Sequence, residues 1–445
     1  MTSAITKKLT PGQILVLGFA LLIVVGAALL MLPAASADGT ALSPLDALFT
    51  SASAVCVTGL TVVDTGTVLS VFGQVVVILL IQIGGLGFMT FAVVLYLLAG
   101  KRLSLRQKTI LSSSVSSNNG GVTRLLKRIL LGTAIFELGG AALLAVRFIP
   151  VYGVGRGIGF SLFHSVSAFC NAGFDILSSA GGKSESFISF AGDPTVSLTL
   201  CALITVGGLG FIVWDDIAAN GVRFKKWQPH TKVVLLSSLI LTAVGALLFF
   251  IFERRGELAG ADTGEAFLTA LFQSVTARTA GFYTWRMGEM NDASRLLMIV
   301  LIFIGASPGG TGGGMKTTSV VLMISSVISS VSDRPVSVWG RRMEDETVRR
   351  NFNALAIYLL EAFGGVFILT LCGVSLSDAA FECFSAVGTV GLTVGVTPSL
   401  SAVARITVIL LMFMGRVGSM TVFTAVSRRE TGDRLRDPKG KIVTG

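Results

Sequence analysis

The chain has 445 residues, of which 52% are hydrophobic and only 13% are charged. Soluble domains carry about 25% charged residues, so this composition excludes an ordinary soluble domain and indicates a protein that folds in a bilayer. The net charge of +10 would also suit a nucleic-acid-binding protein. The basic residues cluster between hydrophobic segments, however, which is typical of membrane topology.

Eight hydrophobic segments are predicted to cross the membrane, since a span needs about 20 apolar residues. The first segment follows Lys7 and Lys8, as a secretory signal would. It is too long for the apolar part of a signal peptide, so we predict a retained span. The predicted spans are 12–33, 71–99, 129–146, 196–214, 233–252, 296–331, 352–373 and 402–426.

The placement of Lys and Arg predicts how these spans are oriented. The two termini and the segments 99–128, 212–232 and 332–351 together carry 24 basic residues, whereas the segments on the opposite side carry 8. An excess of basic residues marks the cytoplasmic side. We therefore predict a multi-pass protein of the plasma membrane with both termini in the cytoplasm.

Four similar short segments recur along the chain, and each ends in a glycine followed by an apolar residue. Their glycines lie 114, 108 and 110 residues apart, and the third segment is one residue shorter than the others. This period accommodates a span, a short segment and a second span, so we predict four repeats, at 1–100, 101–220, 221–335 and 336–445, the last with a C-terminal cytoplasmic tail. The segments are ALFTSASAVCVTGL (47–60), SLFHSVSAFCNAGF (161–174), ALFQSVTARTAGF (270–282) and AAFECFSAVGTVGL (379–392).

Each short segment is predicted to be a half-helix that enters the membrane without crossing it. A helix over 43–56 rises about 21 Å at 1.5 Å per residue, which is less than the bilayer core of about 30 Å. Helix-start signals lie at Ser43, Asp262 and Ser375, and the second segment has a glycine-rich start at 155–159. The predicted fold class is an all-α polytopic membrane protein. It has four M1–pore helix–M2 repeats around one central pore, with eight full spans and four half-helices.

The turns after the half-helices are predicted to form a potassium filter. Small residues and a glycine permit positive φ and let carbonyl groups point at a shared axis. Four such loops can replace the hydration shell of a potassium ion, and the negative ends of the helix dipoles favour a cation there. The alternative is that four re-entrant hairpins merely fill space. The predicted filter residues are Val57, Thr58, Gly59, Asn171, Ala172, Gly173, Thr279, Ala280, Gly281, Thr389, Val390 and Gly391.

These turns and the run QIGGLGF at 82–88 resemble the Trk/Ktr/HKT superfamily of potassium transporters over the full length of the chain. The resemblance is stronger to the membrane subunit of bacterial Ktr systems. It implies potassium uptake across a bacterial inner membrane, a homodimer and a cytosolic nucleotide-binding regulatory ring of the KtrA-type RCK kind, so that nucleotide binds the partner. It also implies sodium as an activator, although no sodium site is evident. In plant relatives a serine at the position of Gly59 accompanies sodium transport, so glycine here favours potassium.

The sixth predicted span is interrupted by six glycines and a proline, which disfavour a continuous helix. Milder interruptions occur at 84–87, 207–210 and 415–418. The family resemblance implies a mobile intramembrane gating loop at 305–316 that obstructs the pore below the filter, and small side chains are expected to leave little to anchor it. A kinked, packed helix is the alternative. The predicted gate residues are Gly305, Ala306, Ser307, Pro308, Gly309, Gly310, Thr311, Gly312, Gly313, Gly314, Lys316 and Arg416.

Charged residues inside the predicted spans are expected to have partners, because a charge in the bilayer is costly. The resemblance implies that Arg416 faces the pore below the filter, where it repels a cation and bonds carbonyls of the gating loop. Arg278 is expected to pair with an acid. Glu137 and Glu361 are the candidate partners of both arginines.

An enzyme is the main rival class of function. The two histidines, His164 and His230, lack a nucleophile or an acid at motif spacing, and no metal-ligand cluster is evident. The glycine-rich loop is not predicted to bind phosphate, since Met315 precedes Lys316 and no strand precedes the loop. We expect no enzymatic activity, no covalent cofactor and no nucleic-acid partner. A secondary solute or sodium transporter of related architecture is the alternative.

Overall fold

The structure is a computed structural model that describes residues 10–87, 122–180 and 186–426. The end of the predicted span 71–99, the segment around 99–121, Lys7 and Lys8, and the tail 428–441 lie outside the described residues. The α-helices are α1 Pro11–Leu30, α2 Pro44–Val55, α3 Val71–Leu86, α4 Val122–Tyr152, α5 Val154–Phe169, α6 Pro194–Gly208, α7 Phe211–Asn220, α8 Pro229–Glu253, α9 Thr263–Thr276, α10 Asp292–Phe303, α11 Thr317–Val331, α12 Asp345–Leu371, α13 Leu376–Gly388, α14 Ala402–Val417 and α15 Ser419–Val426. Between α11 and α12, the strands β1 Ser337–Val338 and β2 Arg341–Arg342 pair in an antiparallel hairpin.

The helices follow one order four times: a long helix, a short helix, a turn and a further helix. In the second, third and fourth repeats this last helix is interrupted. Among the described residues, the long helices α1, α4, α8 and α12 are long and apolar enough to cross a membrane. Six spans result if each of two sharply bent pairs is counted as one. Large apolar side chains such as Leu21, which is 63% exposed, cover the outside of these helices, as a lipid-facing surface requires.

The short helices α2, α5, α9 and α13 lie at the centre of the molecule and begin as the sequence predicts. The Ser43 hydroxyl accepts from the backbone N–H of Asp46 at 3.1 Å, and Asp262 and Ser375 cap their helices in the same way. These caps satisfy amide groups that the first turn leaves without an internal partner. The helix α5 instead follows Gly153, which provides no side-chain cap.

The predicted spans 196–214 and 402–426 are each interrupted where the sequence predicts, but the interruptions are sharp bends rather than mild ones. The chain turns by 93° between α6 and α7 and by 94° between α14 and α15. Gly210 and Gly418 adopt φ values of 94° and 91° at the two bends. Only glycine adopts such values without a steric penalty, and each bend therefore depends on one residue that the sequence treats as a mild interruption.

Candidate functional site

The four turns that follow the short helices share one backbone conformation. The first residue of each turn and the glycine two residues later both have positive φ, whereas the residue between them does not. Positive φ is uncommon for residues other than glycine and is a marked outlier for β-branched ones, so the surroundings must impose it. The first residues are Val57 (56°), Asn171 (58°), Thr279 (77°) and Thr389 (51°), and the glycines are Gly59 (93°), Gly173 (69°), Gly281 (85°) and Gly391 (88°).

The four glycines meet in a closed ring that runs in the order of the repeats. A Cβ added to any of them would overlap the carbonyl oxygen of the residue just before the glycine of the next repeat. Any larger residue would therefore push two repeats apart. The distances from the added Cβ to the carbonyl oxygen are 2.4 Å from Gly59 to Ala172, 2.6 Å from Gly173 to Ala280, 2.6 Å from Gly281 to Val390 and 2.0 Å from Gly391 to Thr58.

A buried Ser or Thr hydroxyl group supports three of the turns and is not among the predicted filter residues. All four repeats have a Ser or Thr at this position, which lies six residues before the glycine in the first, second and fourth repeats and five before it in the shorter third repeat. Ser385 is the member in the fourth repeat, and its hydroxyl has no partner among the described residues. In the sequence, this hydroxyl could have been found from the Ser/Thr–Ala pair that recurs in the four aligned segments. The bonds join Ser53 Oγ to the N–H of Gly59 (3.0 Å), Ser167 Oγ to the carbonyl of Phe174 (2.9 Å) and Thr276 Oγ1 to the carbonyl of Phe282 (2.6 Å).

The loop at 305–316 lies directly against these turns. The Thr311 hydroxyl donates to the carbonyl of Phe169 at 3.1 Å and lies 3.0 Å from the side-chain amide of Asn171. The N–H of Gly313 donates to the Thr389 hydroxyl at 3.0 Å. The loop therefore contacts turns from the second and fourth repeats through side chains that the sequence assigned to the filter.

Backbone hydrogen bonds also attach the loop to the bend between α6 and α7. The N–H groups of Ser307 and Thr311 donate to the carbonyls of Gly208 and Gly207, each at 3.1 Å. The expectation that little anchors this loop is wrong, because glycine lets the two backbones approach closely enough to bond directly. A Cβ on Gly310 would lie 2.9 Å from the carbonyl oxygen of Gly208.

The other predicted gate residues lie in the same loop with different exposure. Ala306 is fully buried, and its carbonyl accepts from the N–H of Thr317 at 3.3 Å. Pro308 and Gly309 are half-buried. The Lys316 ammonium donates to the carbonyls of Gly312 and Gly313 at 3.0 and 3.2 Å, so it closes the loop on itself.

Arg416 joins the loop to another repeat. Its guanidinium donates to the carbonyl of Thr311 in the loop and to the carbonyls of Gly84 and Gly85 at the end of α3. Helix ends leave carbonyls without an internal partner, and a guanidinium with five donors can satisfy several at once. The arginine thus spans a gap between the first, third and fourth repeats.

The predicted pairing of buried arginines with acids is wrong. Arg278 donates to the carbonyl of Ser238 at 2.9 Å, and Arg416 bonds the carbonyls described above. Glu137 accepts from the side chain of Gln82 at 3.3 Å, and Glu361 accepts from the Ser419 hydroxyl at 2.6 Å. Each of these four side chains is therefore hydrogen-bonded to a neutral polar group and not to a residue of opposite charge.

Comparison with known proteins gives a consistent result. The family described as TrkH, cation transport protein, matches residues 9–434. The chain is 40% identical over 443 residues to the Ktr system potassium uptake protein B of Bacillus subtilis, covering 98% of this chain and 97% of that protein. It is 38% identical to the potassium/sodium uptake protein NtpJ of Enterococcus hirae, covering 100% and 99% of the two chains.

A solved structure shows that the fold is also shared. The potassium transporter TrkH from Vibrio parahaemolyticus superposes with a TM-score of 0.75 at 20% identity, covering 94% of this chain and 84% of that one. Together with the full-length sequence matches, this likeness confirms the family resemblance of the short segments and the glycine-rich runs. The chain belongs to the TrkH family of cation transport proteins.

Proposed function

We propose that this chain is the pore-forming membrane subunit of a potassium uptake system and that potassium passes through the ring of four turns. The observation that carries the proposal is the ring itself. Four turns from four repeats bring backbone carbonyls together around glycines that admit no side chain. Rings of backbone carbonyls replace the hydration shell of potassium in selective channels. The names of the relatives in Bacillus and Enterococcus support potassium as the ion.

The proposed topology has eight full spans and four half-helices. The long helices are the first spans of repeats 1–100, 101–220, 221–335 and 336–445, and the helices that follow the turns form the second spans. The short helices α2, α5, α9 and α13 end at the turns, so their negative dipole ends favour a cation at the ring. Both termini lie in the cytoplasm of a bacterial plasma membrane, in agreement with the distribution of basic residues.

The proposed gate is the loop 305–316 together with Arg416. The loop is buried against the turns at Asn171, Thr279 and Thr389, where it would obstruct an ion leaving the ring. A Cβ on Gly312 would lie 2.1 Å from the Thr279 hydroxyl, so little space remains between loop and turns. The hydrogen bonds that attach the loop correspond to a closed state, and opening must break them.

The assembly is proposed from the relatives rather than from contacts in this chain. Three relatives are named as Ktr system proteins, two from Bacillus subtilis and one from Vibrio alginolyticus. A homodimer, with each pore regulated by a cytosolic nucleotide-binding ring, is the corresponding arrangement here, with nucleotide on the partner and sodium as an activator. Sodium as a second transported ion is the other candidate, which the name of the Enterococcus relative supports.

The decisive experiment is uptake by a bacterium that lacks its own potassium uptake systems. The chain is produced with and without a Ktr-type regulatory partner, and growth and rubidium uptake are measured at low potassium. Rescue of growth with excess unlabelled potassium competing far better than sodium supports the proposal. Equal competition by sodium selects the sodium-transport alternative, and absence of uptake with correctly inserted protein rejects both.

A further inference from the structure

One position in the short helices carries a polar side chain in all four repeats. It lies nine residues before the ring glycine in three repeats and eight before it in the shorter third repeat. All four side chains are fully buried, and a buried polar group is costly unless it is hydrogen-bonded. The residues are Thr50, His164, Gln273 and Glu382.

Glu382 bonds to the segment 393–397, which leaves the ring in its own repeat. Its carboxylate accepts from the N–H of Val394 at 3.3 Å, from the Thr397 hydroxyl at 2.8 Å and from the Thr393 hydroxyl. Val394 lies three residues after the ring glycine, Gly391. Three hydrogen bonds accepted by one side chain fix the distance between the short helix and this segment.

His164 makes the equivalent bond in the second repeat. Its Nε2 accepts from the N–H of Ile176 at 3.3 Å, and Ile176 lies three residues after Gly173, the same offset as Val394 from its glycine. The Nδ1 atom lies 2.7 Å from the carbonyl of Phe160, so Nδ1 carries the proton and Nε2 is free to accept. A neutral imidazole and a carboxyl group thus have the same role at the same register.

The other two repeats lack this bond. The Thr50 hydroxyl and both polar atoms of the Gln273 amide have no hydrogen-bond partner among the described residues. Since the ring runs in the order of the repeats, the second and fourth repeats lie opposite each other. The segments that follow the ring are therefore bonded to their short helices through this position in one opposite pair of repeats and not in the other.

We propose that His164 and Glu382 are positioning residues that hold the ring at the spacing that distinguishes potassium from sodium. Neighbouring turns are in contact: a Cβ on Gly391 would lie 2.0 Å from the carbonyl oxygen of Thr58. If the segment after Gly391 were released in the fourth repeat, the ring could therefore contract or shift in the first repeat as well. The inference rests on the proposed function, because it assigns a selectivity role to residues behind the proposed filter.

The test compares Glu382→Leu, Glu382→Gln and His164→Leu with Gln273→Leu as the matched control. Rubidium uptake into proteoliposomes gives KM, maximal rate and the ratio of inhibition by potassium and sodium. We expect Glu382→Leu and His164→Leu to reduce the preference for potassium by about tenfold, since each variant removes at least one hydrogen bond between the short helix and the segment after the ring. Glu382→Gln retains one acceptor and should have a smaller effect, and Gln273→Leu should keep the wild-type ratio because its amide makes no bond.

A purely structural role would lower the amount of folded protein and the maximal rate but would leave the ion preference unchanged. Where Glu382→Leu does not fold, Thr397→Val removes a single bond to the same carboxylate, and a loss of preference of about fivefold is expected. Unchanged ion preference in Thr397→Val and His164→Leu overturns the proposal.

Gly59→Ser is assayed in parallel. It distinguishes a failure of the proposed positioning role from a failure of the proposed filter. If it alters ion preference and the other variants do not, the filter stands and the positioning role is rejected. If no variant alters it, both are rejected.

Discussion

Replacing Arg416 by methionine should open the pathway in the absence of a regulatory partner. The guanidinium donates to the carbonyl of Thr311 in the loop and to two carbonyls at Gly84 and Gly85. Methionine keeps much of the length and apolar volume of the side chain but donates no hydrogen bond. The variant therefore releases one anchor of the loop and removes a positive charge from the proposed path of the cation.

The structure gives the size of the effect. Only one of the three carbonyls that Arg416 bonds belongs to the loop, and a hydrogen bond from a charged donor contributes about 1.5–3 kcal/mol. Losing it shifts the balance between closed and open loop by roughly tenfold to a hundredfold. The loop retains its bonds from Ser307, Thr311 and Gly313, so the shift should stop short of complete release.

The assay is rubidium uptake into proteoliposomes that contain the membrane subunit alone. We expect a higher initial rate for Arg416→Met with the same preference for potassium over sodium, because the ring is untouched. Arg405→Met is the matched control, since this arginine lies on the same helix and pairs with Asp46 rather than with the loop. An unchanged or reduced rate for Arg416→Met, at equal amounts of folded protein, would falsify the assignment of the loop as a gate.

Three further predictions follow from the packing of the ring and the loop. Gly59→Ser should weaken discrimination against sodium in competition assays, because a Cβ there would lie 2.4 Å from the carbonyl oxygen of Ala172; equal discrimination would reject the filter. Deletion of 306–314 should raise uptake by the subunit without its partner, and well-folded protein with unchanged uptake would argue against a gate. Gly207→Ala should lower the unfolding temperature in detergent, since its Cβ would lie 1.9 Å from the carbonyl oxygen of Phe169; an unaltered temperature would show that the helix and turn can separate.

Two glycines provide controls for these substitutions. Gly395 has a φ of 98°, and an added Cβ would meet nothing within 4 Å, so Gly395→Ser reports the strain of positive φ without crowding and should keep the ion preference. Gly139 lies in the middle of α4 with the same open space. Gly139→Ala should be neutral or stabilising by a few tenths to about 1 kcal/mol, since alanine favours a helix.

The turns and short helices were predictable because the same residue pattern occurs four times in the sequence. Ser43, Asp262 and Ser375 each start a helix where the caps indicate. The regularity also revealed where glycine is required, since only a close approach or positive φ demands the same glycine in every repeat. The hydroxyl at Ser53 and its equivalents could have been found by the same alignment.

The partners of the buried charges were not predictable. Arg278 and Arg416 bond to backbone carbonyls, and a carbonyl is present at every residue, so sequence gives no sign of which one is free. The interruptions at 207–210 and 415–418 were predicted as mild, and the sharpness of the bends at Gly210 and Gly418 was not predictable for a related reason. A single glycine inside an apolar helix is usually tolerated, and only its packing against a neighbouring backbone decides whether the chain turns there.

The loop 305–316 belongs to the third repeat, yet its anchors come from the others. Thr311 bonds to Phe169 in the second repeat, Gly313 bonds to Thr389 in the fourth, and Arg416 adds the end of α3 in the first. A movement of any second span would therefore strain the loop, whichever repeat a partner contacts. Because several bonds of modest strength must break together, opening of the proposed gate should be cooperative, and the proposed regulatory partner would need to supply only a few kcal/mol of differential binding to shift the equilibrium.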